Sequence, residues 1–363
     1  MTQARDLADL AGAATAGTIT GRNLIINGAM QISQRGTSFT PNTSLNYSLD
    51  RYATLETTDG DMTISQDTSV VPTGFQYSLK AVTGTADSSL AADQRMILLT
   101  RIEGYDVAQL ELGTANAKQF TLSFYVRSSL TGTFGGAFQN SASDRNYPFT
   151  YTINSANTWE RKTITITGDT SGTWNTTNGT GLQVCWGLGV GSTYSGTAGA
   201  WASGDINSAT GGTSVIGTAS ATWYLTGVQL EAGQTATPFE HRGYGDELAR
   251  CQRYYYKISN LFGVGYANNN QQGNVNLPLP VRMRTNPTAI DTTGTASDYE
   301  LRTATADRAC TSVPTIASSN YDSTDLGYVV FTVTGGNLSN NDACIARGAT
   351  GDTGAYIGFI AEL

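Results

Sequence analysis

Apolar and polar residues alternate along most of this chain. In "QFTLSFYVRSS" Phe120, Leu122, Phe124 and Val126 share one face, with Thr121, Ser123, Tyr125 and Arg127 on the other. That period of two is what a half-buried strand requires. "RKTITITG" repeats it with Ile164 and Ile166, and the alternation puts Trp159 and Trp223 in the core. "LQVCWGLGVG" turns Leu182, Val184, Trp186, Leu188 and Val190 inward. Its other face, Gln183, Cys185, Gly187, Gly189 and Gly191, is nearly bare backbone, so another segment can lie close against it. In "TWYLTGVQLEAG" the phase changes at Gly227, from Trp223 and Leu225 to Val228 and Leu230. A bulge at Gly227 accounts for the switch. About ten such runs between Asn23 and Gly233 predict an antiparallel β-sandwich rather than a parallel sheet covered by helices. No period of 20–50 residues repeats, which argues against a β-helix or a propeller.

Two stretches break the pattern. "ARDLADLAGA" makes two or three helical turns with Leu7 and Leu10 on one side, before the chain loosens into a linker. A helix this short needs a partner to be stable. "GYGDELARCQRYYYK" (243–257) reads as a second short helix. Leu248, Cys251 and Tyr255 recur at steps of three and four, leaving Arg250, Arg253, Tyr254 and Lys257 outside. Asp246 and Glu247 open it and basic residues close it, as the helix dipole prefers. Beyond it come "LFGVGYA", "VNLPLPVRM", "YVVFTVTG" and "AYIGFIAEL", a second β region. The last run is apolar on both faces and is expected inside a sheet or between subunits. The predicted organisation is an N-terminal arm and linker over 1–22, a sandwich over 23–242, a linking helix over 243–258 and a smaller β domain over 259–363.

Composition narrows the function. Only 14% of the 363 residues are charged, 41 are glycine, and the net charge is −8. A phosphate-tracking surface needs clustered Lys and Arg, so nucleic acid is not an expected partner. No apolar run approaches the ~18–20 residues of a membrane span, and the first residues lack the basic-then-apolar layout of a secretory signal. The four cysteines are far apart and His241 is the sole histidine, which disfavours zinc. Free buried thiols are expected, with a Cys310–Cys344 bond as the alternative.

Four strings, "NLIINGAMQISQRG" (23–36), "SLDRYATLE" (48–56), "YLTGVQLEAGQTATPFEHRGYGDELARCQRYYYK" (224–257) and the closing "YIGFIAEL", together resemble tail-fibre and related virion proteins of tailed bacteriophages. The resemblance implies a jelly-roll similar to carbohydrate-binding modules, a small C-terminal β domain and a homotrimer assembled in the bacterial cytoplasm. It makes the arm carrying Leu7 and Leu10 a docking element for other virion proteins. It makes Leu248, Cys251, Tyr255 and the neighbouring Tyr254 a subunit seam, with a single helix folded onto its own sandwich as the alternative. Such modules open with Asn-Leu-Leu-x-Asn-Gly-x-Phe-Glu, of which Asn23, Leu24, Asn27 and Gly28 match. Met30 and Gln31 replace the Phe and Glu, and Thr226-Gly227 stands where a calcium-holding acid would be. Calcium favours several hard oxygens, so no structural ion is expected, and Asp59-Gly60-Asp61 reads as a solvated turn before it reads as an ion loop.

Catalysis finds little support. Ser-His-Asp hydrolysis needs an imidazole beside a nucleophile, but His241 lies in a linker and no G-x-S-x-G elbow exists. Nothing in the spacing of the 29 acidic residues marks the carboxylate pair of a glycosidase. Neither enzyme activity nor a cofactor is expected. Binding fares better: Trp174 in "SGTWNTTNGT", Tyr194 and Trp201 in "GSTYSGTAGAWASGDIN", and Tyr147 with Asp144 and Arg145 in "ASDRNYPF" are aromatics set among small polar residues. Such a ring is a glycan platform or, more commonly, a loop anchor. The expectation is a trimeric fibre or spike subunit that attaches to a host-surface glycan. The alternatives are a purely architectural head-fibre, decoration or adaptor protein, and then a polysaccharide depolymerase.

Overall fold

The computed structural model describes residues 21–287, 289–304, 306–316, 323–335, 338–349 and 354–363. Leu7, Leu10 and the expected docking arm and linker, except residues 21 and 22, lie outside them. The chain forms two compact units, Met1–Glu247 with Leu363, and Leu248–Glu362.

The first unit is an antiparallel sandwich. One sheet has the order Ser38–Phe39, Met62–Asp67, Ser78–Thr83, Thr222–Ala232, Phe120–Ser128, Glu160–Ile166. The facing sheet runs Ala202–Ser203, Arg145–Ile153, Gly132–Gln139, Thr180–Val190, Arg95–Glu103, Tyr52–Glu56, Asn46–Tyr47. The alternating apolar residues of both inner faces make one core: Phe120, Leu122, Phe124, Val126, Trp186, Trp223 and Leu225 are all fully buried. Edge-to-face contacts of Phe124 with Tyr151 and Trp186 link the layers.

The bulge falls where the phase switch placed it. The pairing of Thr222–Ala232 with Phe120–Ser128 slips between Thr226 and Gln229, and Gly227 is left-handed, at φ +61°. A β-carbon there would stand 2.7 Å from the Phe75 ring and 2.8 Å from that of Tyr125. The bare face of Thr180–Val190 is also covered as expected. Ser208 lies over Gly135 and Gly187, and its hydroxyl would be 2.5 Å from a β-carbon on Gly187. Val190 departs from expectation. A second slip between Gly187 and Gly189 pairs Val190 with Arg95 and turns it outward, to pack with Ala53, Ile97, Leu99 and Cys185. Trp159 also departs: it is half-buried and stands edge-on to Tyr224.

Three of the strings that carry the family resemblance converge on one corner of this unit. Asn27 is left-handed (φ 59°), and its side chain bonds the backbone of Ile32 at 2.8 and 2.9 Å and that of Asp50 at 2.9 Å. Asp50 in turn accepts the Gln34 backbone N–H at 2.8 Å. Glu240 accepts the N–H groups of Gly21 and Asn23 at 2.5 and 2.8 Å. Glu247 accepts the N–H of Asn27, and the Arg242 guanidinium donates to the carbonyls of Asn23 and Ile25. The segment entering the sandwich is thus tied by side chains of the segment leaving it.

The second unit holds a seven-stranded sheet that curls into a half-barrel, ordered Asp307–Ala309, Tyr299–Arg302, Ala343–Gly348, Leu261–Ala267, Gln272–Pro278, Leu326–Thr332, Thr315–Ile316. A three-stranded sheet joins Tyr255–Ser259, Tyr356–Ile360 and Ala289–Asp291. The closing apolar run is its central strand, with Ile357 and Phe359 fully buried. The helix expected over 243–258 ends early, at Gln252. Aromatic side chains lose rotamer freedom in a helix and favour strands, so the tyrosine run leaves the helix and Tyr255 pairs with Ile360. All four cysteines are buried thiols outside any disulfide.

Candidate functional site

Four of the five residues predicted to meet a glycan come together at one end of the sandwich. The hairpin joining Gly132–Gln139 to Arg145–Ile153 is fixed by Asn140. Its Oδ1 accepts the backbone N–H groups of Asp144 and Arg145 at 3.1 and 3.2 Å, and its amide donates to the Asp144 carboxylate at 2.6 Å and the Thr173 carbonyl at 3.1 Å. Ala202–Ser203 pairs with Arg145–Asn146 and brings the loop before it alongside. Trp201 then stands edge-on between Tyr147 and Trp174, with ring centres 5.3 and 5.4 Å away. Arg145 grips buried Asp169 through two bonds of 2.7 Å, closing the base of the loop that carries Trp174.

The three rings are not equivalent. Trp174 is only 9% exposed, and its indole N–H donates to the Ser171 carbonyl at 3.0 Å. That is a loop anchor. Trp201 is half-buried and donates to the Thr167 carbonyl at 2.6 Å. Tyr147 is half-buried, and burial raises the pKa of its phenol. Trp201 and Tyr147 therefore offer partly open ring surface beside the exposed carboxylate of Asp144.

Tyr194 is not part of this row. Its ring faces the Arg95 guanidinium at 3.9 Å, and Arg95 also binds Asp205 at 2.8 Å and Asn207 at 2.5 Å. Asp205 accepts from Gln139, whose Oε1 accepts from Gln183 and Asn207. Arg101 caps Gln183 at 2.9 Å. This polar network on the outer face of the sandwich sheet that contains Thr180–Val190 escaped the sequence reading. Its one trace was the outward Gln183-x-Cys185 pair.

The positions that the sequence reading compared with a calcium site hold Met30, Gln31, Thr226 and Gly227, none of which carries a carboxylate. The Met30 carbonyl accepts the Gln66 amide at 2.7 Å and Thr226 donates to the Tyr77 carbonyl at 2.8 Å. Asp61 accepts the Thr85 N–H at 3.0 Å, as a turn carboxylate does. Among the described residues no three His, Cys, Asp or Glu side chains cluster as metal ligands.

Of the four residues assigned to a subunit seam, Cys251, Tyr254 and Tyr255 are buried within the chain. The Tyr255 hydroxyl occupies the space a β-carbon on Gly358 would need. Leu248 is half-buried.

No protein-family model and no curated protein matches the chain. Solved structures do show similarity. The enzymatically active domain of bacteriophage CBA120 tailspike protein 4 aligns over 58% of this chain at 10% identity and a TM-score of 0.31. The match spans only 21% of the tailspike chain. The family 11 carbohydrate-binding module of the Clostridium thermocellum cellulase Lic26A-Cel5E aligns over 54% of this chain and 96% of its own, at 8% identity and a TM-score of 0.28. TmCBM61, solved with beta-1,4-galactotriose, aligns over 59% of this chain and 100% of its own, at 8% identity and a TM-score of 0.29.

Proposed function

We propose that this chain is a non-enzymatic virion structural protein, a subunit of a trimeric tail fibre or spike, whose sandwich holds a host-surface glycan. One observation carries the reading: two partly open aromatic rings, Tyr147 and Trp201, stand edge-on to each other on the strand and loop that flank the exposed carboxylate of Asp144. Ring faces cover the apolar side of a sugar while a carboxylate accepts from its hydroxyls. Such a shallow surface binds weakly, and several linked copies compensate by raising the effective concentration.

Glycan arrays and pull-down on host cells test this with the purified chain. Asp144→Asn and Trp201→Ala are expected to lower binding about tenfold, as central contacts of small interfaces do. Unchanged binding by both variants, with unchanged melting, overturns it. Removing residues 1–20 is expected to abolish incorporation into particles while leaving a folded protein. The cut stops short of Gly21 because Glu240 holds its N–H.

The architectural reading has its own support, since both indole N–H groups of the row are spent on backbone carbonyls. A blank glycan array with normal particle incorporation favours it. Release of reducing ends from host polysaccharide would instead make the chain a depolymerase.

A further inference from the structure

A cavity of about 330 Å³ opens elsewhere on the sandwich, beside the corner where the sequence strings converge. This volume is at the small end of the range for ligand pockets, about 300–1,000 Å³. It is lined by Phe75, Tyr77, Tyr244, Gln31, Gln76 and His241, with Ala29 and Gly74. Tyr244 is 59% exposed at the rim, an unusual place for a large ring.

The walls are set before any ligand arrives. The bulge at Gly227 makes room for Phe75, whose ring lies 5.1 Å from Phe239, 5.2 Å from His241 and 5.4 Å from Tyr125. On the opposite side Asn27 and Met30 are both left-handed at φ 59°, and the Asn27 side-chain bonds hold the loop that presents Gln31. A pre-organised pocket loses little to ordering when it is filled.

We propose that this cavity binds one neutral hexose unit. Three aromatic residues among the lining suit the apolar side of a pyranose ring. Two amides, each both donor and acceptor, suit a set of hydroxyls, which are themselves both. No carboxylate, lysine or arginine lines the cavity, so an acidic sugar would enter without a charge partner, and a desolvated charge needs one; a quaternary ammonium would compete for the same aromatic residues, and choline tests for it. The proposal is independent of the Tyr147–Trp201 row and uses none of its residues.

Saturation-transfer NMR on the full chain tests it, with D-glucose, D-galactose and D-mannose as probes and choline and N-acetylneuraminic acid as charged comparators. At least one neutral hexose is expected to bind at millimolar concentration. Its affinity is expected to fall about tenfold in Tyr244→Ala and in Gln76→Ala, as for central contacts. Both substituted side chains are exposed, and an unchanged melting curve confirms that each variant is folded. The proposal is overturned if no neutral hexose binds, if either charged comparator binds better, or if hexose binding survives both cavity substitutions. Loss in Trp201→Ala alone assigns the hexose to the other site and also overturns it.

Discussion

Glu56 and Glu160 sit in opposite environments and should tilt stability in opposite directions with pH. Glu56 is 6% exposed. Burial, helped by the charge of Asp61 and opposed by a hydrogen bond from Thr58, pushes its carboxyl from 4.5 up to about 7. Between those values the folded state keeps a proton that the unfolded chain has lost, so stability falls as pH rises through this window. Glu56→Gln is expected to remove that slope and to add about 1–2 kcal/mol above neutrality, the shift being discounted for solvent screening. Melting temperatures across the window measure it. Glu160 is also penalised by burial, but bonds from Lys162, Ser155 and Asn154 outweigh that and bring it down to about 2. Its contribution is complete above the unfolded value near 4.5 and disappears as pH falls towards 2. Glu160→Gln is expected to cost about 1–2 kcal/mol at neutral pH, and much less in strong acid. Neither behaviour was legible in the sequence, because it depends on what folds over each carboxylate.

Strands were legible wherever one face is buried, because a slip of one residue would move every apolar side chain into water. The turn of phase at Gly227 announced its bulge for the same reason. Gly227→Ala is expected to cost about 2–4 kcal/mol, combining left-handed strain with overpacking against Phe75 and Tyr125, and chemical denaturation would measure it. A cost below about 0.5 kcal/mol, the range of inert surface changes, would refute that account. The bulge at Gly187–Gly189 went unread because Leu188 and Val190 keep the alternation on paper. The helix end was misplaced because apolar steps of three and four continued into Tyr255, while the pairing with Ile360 that claims this residue is more than one hundred positions away.

The all-β class, the sandwich and the smaller terminal β unit were legible from composition and alternation. Which loops meet was not, because pairing across the fold has no local signature. Trp174, Trp201 and Tyr147 were each visible as isolated rings, but only the Ala202–Ser203 pairing shows that they form one row while Tyr194 turns to Arg95. Self-association belongs to the same scale. Leu261, Val264, Tyr266 and Ile345, four large exposed apolar residues, lie on two adjacent strands of the second unit, with Val264 directly opposite Ile345. Apolar surface gathered in this way usually marks an interface. The trimer proposal predicts that other copies cover this face. Sedimentation is expected to give a trimer for the natural chain and a monomer for Val264→Asp. A monomeric natural chain would remove this part of the proposal.

The corner built by Glu240, Arg242 and Glu247 has a mechanical consequence. Residues 21–27 and 240–247 are the two ends of the sandwich, and the same side chains cross-tie them. A tug applied between those ends is borne by this buckle before any strand is sheared. Single-molecule stretching should therefore show a small early yield that disappears in Arg242→Ala, followed by a larger rupture of the sheets that stays the same.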